Sequence, residues 1–319
     1  LGFFYCTAVV WVVYLHSFKD VALGNQSISF FEEFKAITKF RLAISVVFSS
    51  IAAYFIAAAT IDIIELTLLI TGGYALVGAS NAFNQIIERN LDAKMHRTKN
   101  RPIPSGRMRV EMGLLIAVSL TLSGIVLLYF LNPKTAFFGS LSVLLYTLAY
   151  TPLKTKTPLS VFVGAIPGAI PFMLGWVAAT NDFGIEPGTL FMIQFFWQFP
   201  HFWALAWMLD EDYKRGGFKL LPTGKKDHST ALQIILYTLW MMIVSIVPVF
   251  GITGALVLSI PAAVILFSCG LLMLFFALKL YMDKETKTAR TLMLISVSYI
   301  TALQIIYVVD HFIRVGINF

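Results

Sequence analysis

The chain has 319 residues, of which 58% are hydrophobic and only 13% charged, with a formal net charge of +7. Soluble domains carry about 25% charged residues, so this composition excludes an ordinary soluble enzyme, a disordered tail and a fibrous repeat. The surface is built for lipid, and the 21 glycines and 12 prolines predict close helix contacts and broken helices. The two cysteines, Cys6 and Cys269, are far apart and read as small apolar residues rather than a disulfide or a thiolate metal site.

A membrane-crossing helix needs about 20 apolar residues. In chain order, the predicted spans are Phe40–Thr60, Ile63–Ile87, Val110–Leu131, Thr135–Thr151, Leu159–Ala179, Thr189–Leu209, Thr230–Phe250, Ala255–Leu280 and Thr291–Val309, nine in all. The apolar stretch Gly2 to Leu15 is short. It reads equally as a tenth helix, a signal-like segment or a remnant of upstream sequence. Residues 1–33 are therefore set apart as an N-terminal segment, and 34–319 as one intramembrane domain.

Of the 24 Lys and Arg, 22 fall before the first span or in the loops after the second, fourth, sixth and eighth; only Lys134 and Arg314 lie on the other side. The positive-inside rule then places the even-numbered loops and residues 19–39 in the cytoplasm. The strict alternation of charge supports the count of nine.

Two acidic clusters share that face. Asn84, Glu88 and Asp92 stand at i, i+4 and i+8 at the end of the second span, on one helical face. Two carboxylates and an amide so aligned can hold a hard cation such as Mg²⁺, which usually shares its site with substrate phosphates. The plain alternative is a helix end entering water, its acids paired with Arg89 or Lys94. Arg97 and Arg101 follow at once, and the arginine fork suits phosphate oxygens. The second cluster, Asp210, Glu211 and Asp212, ends the sixth span. Adjacent acids on a helix diverge, so at most two of the three serve one ion. A four-helix pseudo-repeat would set the two clusters across a cavity from each other.

The fifth span carries Pro167 and Pro171, which predict a bent helix, and a small-residue pair, Gly164 and Gly168. The sixth carries His201 within Trp197-Gln198-Phe199-Pro200-His201-Phe202-Trp203. An ionisable residue inside a span is a functional hypothesis; a neutral histidine bonded to a neighbouring helix is the alternative. The fold expected is all-α, a multi-pass membrane helical bundle of about nine transmembrane helices around a central cavity.

The run Asn84-x-x-x-Glu88-Arg89-x-x-Asp92-x-x-Met95-x-Arg97-Thr98-x-x-Arg101-Pro102 resembles the first aspartate-rich motif of the UbiA-type intramembrane prenyltransferases. Tyr150 to Lys154 with Thr157 to Ser160, Gly164 to Trp176, and Trp197-Gln198-x-Pro200-His201-Phe202 with Asp212-Tyr213 extend the resemblance. The Trp-Gln-x-Pro-His block points to the heme branch, the protoheme IX farnesyltransferases (heme O synthases). Two positions depart from the superfamily pattern: Lys214, where many members have the second aspartate of an Asp-x-x-x-Asp motif, and Thr155, where an arginine is frequent.

The resemblance implies transfer of farnesyl from farnesyl diphosphate to a vinyl group of heme b, with addition of water, giving heme O. It implies a cell inner membrane location and Mg²⁺ as cofactor, bound by Asn84, Glu88, Asp92 and Asp212, with heme b as substrate. Arg97, Arg101, Lys154 and Lys156 are then expected on the diphosphate and His201 on heme. A heme A synthase or terminal-oxidase assembly factor is the implied partner. Two rival readings are a UbiA-type prenyltransferase with an aromatic acceptor and, from another class, a membrane transporter. The transporter is disfavoured because the acids sit at helix ends, not at the midplane.

Overall fold

The computed structural model describes residues 29–316. The stretch Gly2 to Leu15, with Cys6, His16 and Lys19, lies outside the described residues. Among those described, every regular element is helical.

A short helix α1 (Phe30–Ile37) precedes the spans α2 (Phe40–Ala57), α3 (Ile63–Asp92), α4 (Val110–Tyr129) and α5 (Pro133–Leu144). Helix α5 runs on through a π-helical turn, Leu145–Tyr150, and a last turn, Thr151–Leu153. Then follow α6 (Ser160–Thr180), α7 (Ile185–Met208), the short α8 (Asp210–Gly216), α9 (His228–Ile246), α10 (Ile260–Asp283) and α11 (Thr286–Val315). Eight of these are long and apolar enough to cross a membrane. The remaining expected span, the sixth in chain order, is α7; it has the length, 24 residues, but also carries Gln194, Gln198, Pro200 and His201. The chain is a multi-pass integral membrane protein.

Helix α1 runs across the boundary drawn at residue 33, and buried Glu33 accepts a 2.6 Å ion pair from Arg107 Nε, tying α1 to the loop after α3. Phe30 and Phe31 on α1 are exposed, so the helix is amphipathic, of the kind that lies in a membrane interface.

Helix α2 packs on α3, α6 and α11; α7 packs on α6, α9 and α11; α3 and α7 do not pack along each other. Their Asp-rich ends therefore meet only through the loops described below. Helix α3 has 30 residues, about 45 Å at 1.5 Å per residue, against a hydrocarbon core of about 30 Å. Its last turns, which carry the acids, project past the core. Asp62 starts it by accepting the N–H groups of Ile64 and Glu65.

Helix α6 is the most buried of the eight. The missing N–H of Pro171 orphans the carbonyl of Pro167, and Ser142 Oγ of α5 donates to it at 3.1 Å. Ser50 Oγ of α2 donates to the Pro171 carbonyl at 2.7 Å. Gly164 makes room for the Tyr150 ring and Gly168 for the Gln198 side chain, so this pair admits side chains rather than a neighbouring backbone. The close backbone approach is at Gly175, where an added Cβ would stand 1.9 Å from the carbonyl oxygen of Ser50. Cys269 is unpaired and half-buried against the core, as a small apolar residue would be.

A Gly175→Ala substitution must push α2 from α6. It should cost about 3 kcal/mol or more, beyond the usual range for overpacking because the neighbour is backbone. Thermal unfolding in detergent should show a clear drop, while Gly188→Ala, with open space at the Cβ position, should leave the midpoint nearly unchanged.

Candidate functional site

The final turns of α3 bury Asn84, Glu88 and Asp92, at 2%, 4% and 1% exposure. The three expected residues therefore face inward together, and the reading of a helix end entering water is set aside. Each carboxylate has a cation from outside α3. Glu88 Oε1 is 2.8 Å from Lys154 Nζ, and Asp92 Oδ2 is 2.7 Å from Arg101 Nη1. Neither of the partners first considered, Arg89 or Lys94, pairs with them; Arg89 bonds to the Ile86 carbonyl instead.

Lys154 reaches Glu88 because of the π-helical turn. Pro152 cannot donate to the helix ladder, and both the N–H and the Oγ of Thr151 turn to the carbonyl of Tyr146. That widened turn brings Thr151 Oγ to accept from Asn84 Nδ2 at 3.4 Å. It also sets the Tyr150 ring 4.5 Å from Lys154 Nζ, with Tyr146 and Phe218 at about the same longer reach, 5.9 and 5.8 Å. Burial alone would lower the pKa of Lys154, but Glu88 together with Tyr146 and Tyr213 outweighs it and holds the ammonium above its ordinary value.

Asp212, expected on the metal, lies at the junction of the loop after α3 with α8. Its oxygens accept the backbone N–H groups of His96 at 2.8 Å and Arg97 at 3.3 Å, and Arg215 lies 3.4 Å away. It is a buried anchor that ties the loop after α3 to α8. The two acidic clusters do meet, through that loop. Asp210 pairs instead with exposed Lys214, and Glu211 is exposed, as the divergence of adjacent acids requires.

Arg97 is exposed, 5.9 Å from the Tyr213 ring. Lys156 is also exposed and makes no ion pair among the described residues. Expected on the diphosphate, it lies outside the cluster, because two residues beyond Lys154 the chain has turned toward solvent.

One member was missed by the sequence reading. Lys39, at the start of α2, is held in a left-handed conformation with φ 49°. Gln85 Nε2 donates to the Ala36 and Ile37 carbonyls and Asn81 Nδ2 to that of Thr38, so α3 fixes the turn that carries Lys39. Burial first, then the neighbouring Arg101 and Lys154, hold the pKa of Lys39 well below its ordinary value, with Asp92 and Glu88 acting the other way. The turn therefore brings a third basic side chain into the electrostatic reach of the two buried carboxylates, with its charged form disfavoured there. The only signal in the sequence was a lysine at a span start, which the positive-inside rule already explained.

Asp92 Oδ1 is enclosed and has no hydrogen-bond partner. No three of His, Cys, Asp and Glu converge closely enough among the described residues to hold an ion by themselves. This arrangement fits Mg²⁺, which takes one or two carboxylates and completes its oxygen shell with phosphates and water.

His201 is buried at 4% exposure, with its ring stacked on Trp197 at 4.8 Å and its Nδ1 2.8 Å from Ser296 Oγ of α11. It is a histidine bonded to a neighbouring helix, and the sequence had left that reading open.

The model of the UbiA prenyltransferase family matches residues 46–299. The chain is 64% identical over 295 residues to the protoheme IX farnesyltransferase of Christiangramia forsetii, covering 92% of this chain and 98% of that one. It is 62% identical to the one from Flavobacterium psychrophilum, over 90% of this chain and 96% of that one. Among solved structures it resembles a digeranylgeranylglyceryl phosphate synthase, with TM-score 0.73, 18% identity, 88% of this chain and 98% of that one covered. It also resembles a UbiA homologue from Archaeoglobus fulgidus bound to GPP and Mg²⁺, with TM-score 0.64, 12% identity and coverage of 86% and 99%. These two show the fold. With its helices, its buried acids and this degree of identity over nearly the whole length, the chain belongs to the UbiA prenyltransferase family, among its protoheme IX farnesyltransferases, and is a membrane-embedded prenyltransferase.

Proposed function

We propose that the enzyme moves a farnesyl group from farnesyl diphosphate to a vinyl group of heme b, with Mg²⁺ at the Asp-rich end and that end on the cytoplasmic side. The observation that carries this is the pair of buried carboxylates, each matched to a buried or half-buried cation, with one enclosed carboxylate oxygen left unpartnered. Buried charge of both signs around one point is what a metal-bound diphosphate requires.

When bound, Mg²⁺ would supply Lewis-acid stabilisation of the departing diphosphate. Asp92, Glu88 and the amide oxygen of Asn84 would hold it. Lys154 and Arg101 turn from the carboxylates to the phosphate oxygens, and Lys39 joins them there, where they stabilise the charge that develops as the allylic C–O bond breaks. Arg97, on the loop that Asp212 anchors, closes over the phosphates. The electron pair of that bond leaves with the diphosphate. The vinyl π pair forms the new C–C bond, so no base has to remove a proton first. Water then captures the new cation and releases one proton, leaving a hydroxyl on the product. Apolar walls keep water from the allylic cation until the C–C bond has formed. His201 faces the heme as the residue for its iron.

Purified protein given farnesyl diphosphate, Mg²⁺ and heme b should yield a heme heavier by one farnesyl and one water in mass spectrometry; unchanged heme would overturn the reading. Asp92→Asn should lower kcat/KM at least about 10²-fold, as expected for loss of a charge-stabilising group, with the thermal midpoint showing that the fold persists.

The cations should separate in a second series. Lys154→Met and Lys39→Met should each raise KM for farnesyl diphosphate about tenfold or more, by analogy with the loss of a charge-assisted bond, and leave KM for heme unchanged. Lys156→Met should alter neither.

A further inference from the structure

The tie between α7 and α11 defines more than packing. Ser296 is fully buried, and its single hydroxyl proton goes to the carbonyl of Met293 at 2.6 Å. Toward His201 Nδ1, 2.8 Å away, the hydroxyl oxygen can therefore only accept, so Nδ1 carries the proton. A neutral imidazole has one N–H and one lone pair, which places the lone pair on Nε2. Among the described residues, the side-chain hydrogen bond of the ring is the one at Nδ1. The indole of Trp197 fixes the ring plane: Trp197 Nε1 donates to the Ser296 carbonyl at 2.6 Å, and the indole stacks on the imidazole with an interplanar angle of 18°. Phe202 closes the ring's edge at 5.3 Å. Two groups of one serine thus hold two aromatic side chains of the facing helix.

We infer that Ser296 is a positioning residue that fixes the Nδ1–H tautomer of His201, so that Nε2 presents its lone pair to the iron of the porphyrin acceptor. The inference rests on the proposed role of His201 toward heme. Histidine bound to a metal through one nitrogen commonly donates the other N–H to a fixed acceptor, which sets ring orientation and strengthens the ligand. Here the acceptor is a hydroxyl already committed to its own helix. It cannot rotate to donate without giving up the Met293 carbonyl. The stack on Trp197 holds the ring plane but does not choose the tautomer, so the two residues have separable effects.

The test is the spectrum of heme b bound to the full-length protein in detergent, without farnesyl diphosphate. Wild type should show an axial-histidine signature in the Soret band and in the iron–imidazole stretch of the ferrous form, and His201→Ala should abolish it. Ser296→Ala should keep the band but weaken and broaden the iron–imidazole stretch and raise the heme Kd about tenfold. Ser296→Thr, which retains the hydroxyl, should restore both. Trp197→Phe, which retains the stack, should keep the tautomer and so the stretch frequency. If His201→Ala loses the signature while Ser296→Ala matches wild type in stretch and affinity, the role of Ser296 is overturned and that of His201 stands. If His201→Ala keeps the signature, both are overturned.

Discussion

Two buried ion pairs at one end of the bundle, Glu88 with Lys154 and Asp92 with Arg101, are the interaction on which the rest of the site depends. Bringing a carboxylate out of water costs several kcal/mol, and an attached cation offsets that cost only where geometry is good. The four charges come from three places: the last turns of α3, the turn that ends α5, and the loop after α3. Each needs its own support, and much of the unusual backbone in the protein supplies it. The π-helical turn delivers Lys154, and Asp212 clamps the loop that begins between Asp92 and Arg101. Thr98 Oγ caps α3 by donating to the carbonyl of Asp92 itself. The same arrangement that makes burial tolerable suits the proposed exchange, in which each carboxylate and each cation would find a substitute partner in a metal-bound diphosphate.

The face of α3 does two tasks with one periodicity. Asn81 and Gln85, four residues apart, hold the carbonyls at the end of α1, while Asn84, Glu88 and Asp92, also at fourfold spacing, face the site. The two stripes are adjacent, so the turn fixed by the first places Lys39 beside the acids of the second. A non-glycine residue at positive φ is a small backbone cost, and here three side-chain hydrogen bonds from a neighbouring helix hold it.

What the sequence made legible follows from physical strength. Spans are fixed by a solvent that leaves few alternatives, and all nine expected helices are present with ends shifted by a few residues. The inward turn of Asn84, Glu88 and Asp92 followed from helical spacing. The placements of Asp212, Lys39 and Lys156 did not, because they depend on loops. A residue beyond a helix end can point inward or outward with a small change of backbone, and no periodicity records which. Ser296 was silent for another reason: a serine on an apolar helix normally bonds its own backbone, and only the partner helix shows that the oxygen has a second use.

Helix α7 shows why hydropathy alone undercounts such a bundle. Several of its polar side chains bond inside the protein. Gln198 Nε2 donates to the Ala165 carbonyl of α6, Gln304 Nε2 of α11 approaches Gln194 Oε1 at 3.5 Å, and Trp197 and His201 both bond to Ser296. A helix that is wall to three others, α6, α9 and α11, need not be greasy all round. It can carry the groups that hold its neighbours in place, and that freedom lets one span join the packing of the second half of the bundle to the residue proposed to meet the acceptor. A hydropathy threshold measures fitness for lipid; α7 falls below it because so much of its surface meets protein instead.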